Sequence, residues 1–188
     1  MYYHASQTAN ITVLKPRISN HGIPLVYLSK KRENVLVYLS NAVEKYCKET
    51  GFIHHGNWQK WGPYGFEKDG TLRLEEYYPN ALIDTYQGVS GYIYYAKKIQ
   101  NAEENIQISN AVITSEQVEV DGCEFVPDAY KAIMEAAESG LIRILKYEEL
   151  SQKKQEWLRS IIKEEYKNAE ERPEYRYFLE AKFPFYIE

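Results

Sequence analysis

With 188 residues the chain is long enough for one well-buried core and short for two, so a single domain over 1–188 is expected. A formal charge of −4 and a pI near 5.7 argue against a dedicated binder of phosphate backbones, which needs a basic face, and no apolar run approaches the roughly 18 residues that span a bilayer. Nucleic acid and membrane are thereby disfavoured as partners.

The start of the chain, MYYHASQTANITVL, has neither the basic flank nor the apolar stretch of a signal peptide, and a soluble cytoplasmic protein is expected. Cys47 and Cys123 have no metal-like spacing around them and read as two buried thiols in a reducing compartment.

Residues 1–5 and 23–29 predict two short strands from their β-branched and aromatic content, with a loop between them marked by Asn20, Gly22 and Pro24. Val35, Leu36, Leu39, Val43, Tyr46 and Cys47 then recur at helical spacing. They predict one amphipathic helix from Lys30 to Lys48, with Ser29 as N-cap, Glu33 in the first turn and Gly51 at the far end. Residues 52–90 read as an aromatic excursion containing a β-hairpin that turns at Asp69-Gly70.

GYIYYAK (91–97) predicts a strand, and SEQVEV (115–120) another that ends at Asp121-Gly122. Pro127 and Asp128 open a helix through Ala137, stopped by Gly140. LIRILKY (141–147) is a further strand. From Glu149 to about Glu171, Leu150, Trp157, Leu158, Ile161, Ile162 and Tyr166 form one stripe of a long helix, and Pro173 begins a last short one, so 149–188 reads as a helical C-terminal extension. The eighteen tyrosines suit half-buried sheets and clefts. The class expected is α+β.

YYHAS places His4 on the first strand; LVYLS places Tyr27 on the second, which runs into a helix without a turn; SEQVEVD opens a later strand with Glu116. This order resembles the His-Tyr-Glu lineage of the ADP-ribosyltransferase superfamily, which includes the poly(ADP-ribose) polymerases and diphtheria-type toxins. The likeness covers roughly residues 1–48 and 91–147. It implies a split antiparallel sheet with flanking helices and NAD as substrate. Breaking the nicotinamide–ribose bond passes through a cation-like sugar, as in glycosidases. The resemblance gives His4 a ribose contact, Tyr27 the flank of the nicotinamide ring, and Glu116 the stabilisation of developing positive charge.

Ser6 and Ser29 offer hydroxyls to the cofactor, and Arg17 and Arg32 suit its pyrophosphate. The family places Gly after the His, where this chain has Ala5, and Glu119 and Glu124 compete with Glu116 for the carboxylate role.

The expected activity is ADP-ribosyl transfer to a protein or small molecule, in preference to nucleic acid, or NAD glycohydrolysis. The alternatives are a non-catalytic ligand- or protein-binding module on the same fold, and an RNA 2′-phosphotransferase-like enzyme, which predicts Arg and His in the cleft in place of Glu. His54-His55 with His21 invites a metal reading, weakened because adjacent strand residues point to opposite faces. Trp58, Trp61, Tyr64 and Phe66 suit either a lid over the cleft or a local core. Rossmann and P-loop fingerprints are absent from the sequence.

Overall fold

The computed structural model describes residues 1–18, 22–104 and 108–187; Asn20 of the expected loop and His21 of the metal reading lie outside them. In chain order the strands are β1 (Tyr2–Ser6), β2 (Val13–Leu14), β3 (Arg17–Ile18), β4 (Pro24–Ser29), β5 (Tyr64–Phe66), β6 (Leu72–Glu75), β7 (Gly91–Ala96), β8 (Glu103–Glu104), β9 (Ala111–Thr114), β10 (Val118–Glu119), β11 (Gly122–Val126) and β12 (Ile142–Leu145). The α-helices are α1 (Ala42–Glu49), α2 (Ala81–Tyr86), α3 (Ala129–Glu138), α4 (Gln152–Asn168), α5 (Pro173–Lys182) and α6 (Pro184–Ile187), with 3₁₀-helices over Glu33–Leu39 and Tyr147–Glu149. The class is mixed α and β with antiparallel sheets. Among the described residues no helix is long and apolar enough to cross a membrane.

The chain folds into two compact units: Met1–Ser40, Phe66–Arg73 and Gln87–Arg143 in the first, Asn41–Gly65, Leu74–Tyr86 and Ile144–Glu188 in the second. Strands β5, β6 and β12, in the order β12-β6-β5, carry the chain across the divisions.

The sheet of the first unit has the order β11-β7-β1-β4-β9-β8, with β3 beside β4. Strand β1 pairs with β7 along its whole length, from Tyr2↔Ala96 to Ser6↔Tyr92, and β4 pairs with β9 from Val26↔Thr114 to Ser29↔Ala111. Between β1 and β4 the described register is the single pair Tyr3↔Ser29. The sheet therefore divides into halves β11-β7-β1 and β4-β9-β8 that meet at that point. Leu14, Val26, Leu28, Ala96 and Val118 form a buried cluster with Tyr2, Ile11, Ile99 and Val120 around it, and the β2–β10 ribbon supplies two of its members. The 3₁₀-helix Glu33–Leu39 packs against β1, β7 and α3. Gly91 permits that approach, because a Cβ there would meet Leu39 Cδ2 at 2.7 Å and the Ser6 carbonyl at 3.0 Å.

The core of the second unit gathers Val43 and Cys47 of α1, Leu158 and Ile162 of α4, and Phe178 and Leu179 of α5, all 0% exposed. Trp61 lies against it, with its ring 6.0 Å from Phe178 and 5.4 Å from Phe183, and Trp58 packs there too. Both tryptophans thus belong to a core and not to a lid.

The expected helix over 30–48 is two helices. Ser40 and Asn41 are extended, and Asn41 starts α1 as its N-cap: its Oδ1 accepts from the Val43 N–H at 3.3 Å and the Trp61 N–H at 3.2 Å, while its Nδ2 donates to the Gln59 carbonyl at 2.9 Å. Ser29 is not a helix cap. Its Oγ accepts from the Lys31 N–H at 3.1 Å, closing a turn between β4 and the 3₁₀-helix. The expected strand over 115–120 shrinks to Val118–Glu119, with Ser115 and Glu116 in a bend. Cys123, expected to be buried, is exposed on β11.

The hairpin at Asp69-Gly70 forms: Gly70 takes φ 81°, and Asp69 Oδ1 accepts from the Thr71 N–H at 2.9 Å. Helix α3 begins at an Asp128 cap, and the expected helix 149–171 resolves into the short Tyr147–Glu149 turn and α4, capped by Ser151.

Candidate functional site

His4 lies on β1 opposite Tyr94 of β7, where the half-sheets part. Its Nδ1 is 2.9 Å from the backbone carbonyl of Tyr27 on β4. A carbonyl only accepts, so Nδ1 carries the proton and, in the neutral ring, Nε2 presents a lone pair. Burial pushes the His4 pKa below its ordinary value; the Tyr27 carbonyl opposes this, and the Arg17 charge adds to it. Among the described residues Nε2 has no hydrogen-bond partner. The site therefore presents a half-buried neutral imidazole, oriented at one nitrogen and available at the other.

Arg17 is exposed on β3, opposite Leu25 of β4, close enough to His4 for its charge to be felt. Tyr27 is half-buried. Alternation along β4 sends its ring to the side away from Val26 and Leu28, whereas His4 shares the side of β1 taken by Tyr2, which packs against the buried cluster that holds those two residues. The imidazole thus meets the Tyr27 backbone and not the Tyr27 ring. Ser29 is 5% exposed, with its hydroxyl engaged by the Lys31 N–H; Ser6 Oγ accepts from the Thr8 N–H at 3.1 Å.

Glu116 is not brought to this group. It is exposed after the end of β9, with its N–H donating to Thr114 Oγ1 at 3.1 Å and its carboxylate 3.4 Å from Asn101 Nδ2. The strand beside β4 is Ala-Val-Ile-Thr and carries no carboxylate. Glu119 is exposed on β10. Glu124, on β11, accepts from Arg32 through both oxygens, the Nε–Oε2 bond being 2.8 Å; this fork holds the Glu124 carboxyl below its usual range and occupies Arg32.

Asn34 escaped the sequence reading. It is 5% exposed, in the first turn of the 3₁₀-helix that follows β4, and among the described residues neither its Oδ1 nor its Nδ2 has a hydrogen-bond partner. Leaving such groups unpaired costs roughly 1–3 kcal/mol each. The available signal was a polar amide immediately before the buried run Val35, Leu36, Val37.

In the second unit, His54 Nε2 lies 3.2 Å from the Asn57 carbonyl and Nδ1 lies 3.8 Å from Glu174, while His55 is exposed. Among the described residues no group of three His, Cys, Asp or Glu side chains is placed to hold a metal ion. Compared with family models, curated proteins and solved structures, the chain matches none.

Proposed function

We propose that the chain binds NAD where β1 and β4 part, and acts on it as an ADP-ribosyltransferase-like domain, passing ADP-ribose to a protein or small molecule or releasing it to water. The observation carrying this reading is His4: a neutral imidazole at a strand split, with its proton fixed on the Tyr27 carbonyl and an acceptor nitrogen left over. That nitrogen can accept from a ribose hydroxyl, and Arg17 beside it supplies charge for a pyrophosphate. Held in place by such contacts, the nicotinamide–ribose bond is aligned for departure of the base. The divided antiparallel sheet supports the reading, because the family resemblance implies a split sheet; the turn at 30–32 between β4 and the 3₁₀-helix departs from the expected strand that enters a helix without one.

Binding without turnover is the second reading, favoured by the position of Glu116: the strand flanking β4 offers no carboxylate to an oxocarbenium-like sugar.

Calorimetry with NAD and detection of released nicotinamide separate the two. Binding that weakens tenfold or more in His4→Ala, with nicotinamide release by the parent protein, supports the enzyme. Binding with no release assigns the split to recognition alone. No binding at millimolar NAD defeats both. If release is seen, its loss in Glu116→Gln with binding retained places that carboxylate in the reaction, and unchanged release removes it.

A further inference from the structure

The second unit seats two of its lysines in the same manner, each ammonium against two aromatic rings and a carboxylate. Lys182 Nζ lies 4.8 Å from the centre of the Tyr46 ring, 5.2 Å from that of Tyr78 and 2.7 Å from Asp84 Oδ2. Lys154 Nζ lies 4.1 Å from the centre of the Trp157 ring, 5.2 Å from that of Tyr77 and 3.1 Å from Glu75 Oε2. A ring facing a cation attracts it through its quadrupole, and the attraction grows as water is excluded. Glu75 is 6% exposed, so the Lys154 seat has a buried anionic floor. Tyr77 and Trp157 are its walls, with planes crossing at 80° and ring centres 5.9 Å apart.

The two seats differ in how well each helix keeps its lysine. Lys182 stands in the last turn of α5, where the helix dipole favours a cation, and its side chain is 19% exposed. Lys154 stands in the first turn of α4, three residues after the Ser151 cap, where the dipole opposes a cation. Its side chain is 32% exposed, and Trp157, the outer wall, is 43% exposed. A primary ammonium is strongly hydrated, and fixing its flexible stem costs rotamer entropy. A trimethylammonium group holds water weakly, has no N–H to leave unpaired, reaches both rings with its methyls and keeps a positive charge opposite Glu75. We propose that Tyr77, Trp157 and Glu75 form a binding site for a small organic cation with a trimethylammonium head, in which Lys154 is a resident occupant that the ligand displaces into solvent. The proposal does not depend on the NAD reading, whose residues all belong to the first unit.

Titration of the protein with choline tests this, read by the indole N–H resonance of Trp157, which is identified by its absence in Trp157→Leu. That resonance is expected to shift saturably at millimolar choline. It should not respond to the neutral carbon analogue, which carries a tert-butyl group in place of trimethylammonium, nor to sodium chloride at equal ionic strength. Calorimetry should show choline binding roughly tenfold weaker or more in Trp157→Leu, since one ring is lost, with the thermal midpoint near that of the parent because the residue is partly exposed. Lys154→Ala removes the resident occupant and should bind choline at least tenfold more tightly, with choline raising its thermal midpoint; Lys154→Met serves in its place if the alanine variant does not fold. No saturable binding by the parent or by the Lys154 variant overturns the inference, as does equal response to the neutral analogue, full affinity in Trp157→Leu, or no gain on removing Lys154. Binding of a trimethyllysine peptide without binding of choline overturns the assignment to a small molecule.

Discussion

At the scale of single residues, the surroundings of His4 select its neutral form. The ring is held below its ordinary pKa of 6.5 in the fold and regains that value when the chain unfolds, so the unfolded chain takes the proton first. The stability that His4 contributes is complete above the ordinary value and is lost as pH falls through the lower folded one. The thermal midpoint should accordingly drop more steeply between about pH 7.5 and 5 for the parent protein than for His4→Gln. The two thiols diverge in the same way. Cys123 is exposed, whereas Cys47 is 0% exposed and pushed up to about 11 by burial and then by the Glu174 charge. A disulfide reagent at neutral pH should label Cys123 within minutes and Cys47 only after denaturant is added. The strand that carries His4 was legible in the sequence, and the residue keeps its expected place on it. Glu116 was not: one bend moved it off the strand it was expected to open, and a side chain's facing depends on register that the sequence leaves open.

At the scale of elements, the joint at Ser40–Asn41 carries the largest departure from expectation. The apolar residues before and after it continue one helical stripe, and two polar residues fit the solvent side of such a helix equally well. What breaks the helix is the Asn41 side chain, which serves two N–H groups and one carbonyl, two of these three partners coming from the distant Gln59–Trp61 stretch. Long-range partners of that kind leave no local trace. Asn41→Ala should cost about 1–2 kcal/mol in urea unfolding, the upper range for a lost cap, with the loss concentrated in amide protection of α1. The strands β8 and β9 were missed for a related reason: they are two and four residues long, β9 owes its existence to β4, more than eighty residues away in the chain, and β8 owes its own to β9. β1, β4 and β7 were legible because each holds five or six residues of strand-forming composition.

For the whole molecule, the mixture of α and β was readable from alternating patterns, while the division into two units was not. Neither unit is continuous, and the chain passes from one to the other inside short strands and at a helix joint, with no Gly-, Ser- or Pro-rich linker to mark the passage. Residues 41–188 expressed alone lack β1 and β4, the two strands at the middle of the first unit's sheet, so β7 keeps only β11 and β9 only β8 of the strands they pair with. That fragment should lose the dispersed amide resonances of Gln87–Arg143 in a heteronuclear NMR spectrum; their retention would show that the first unit does not need its leading segment.

The outermost strands of the first unit's sheet have a bearing on colloidal behaviour. On one flank stands the Glu103–Glu104 dipeptide, on the other Glu124 gripped by Arg32. Any stranger docking there to lengthen the ribbon meets fixed carboxylates and a crosswise guanidinium at the place where bare amides would otherwise invite it, which disfavours fibrous growth by stacking copies flank to flank.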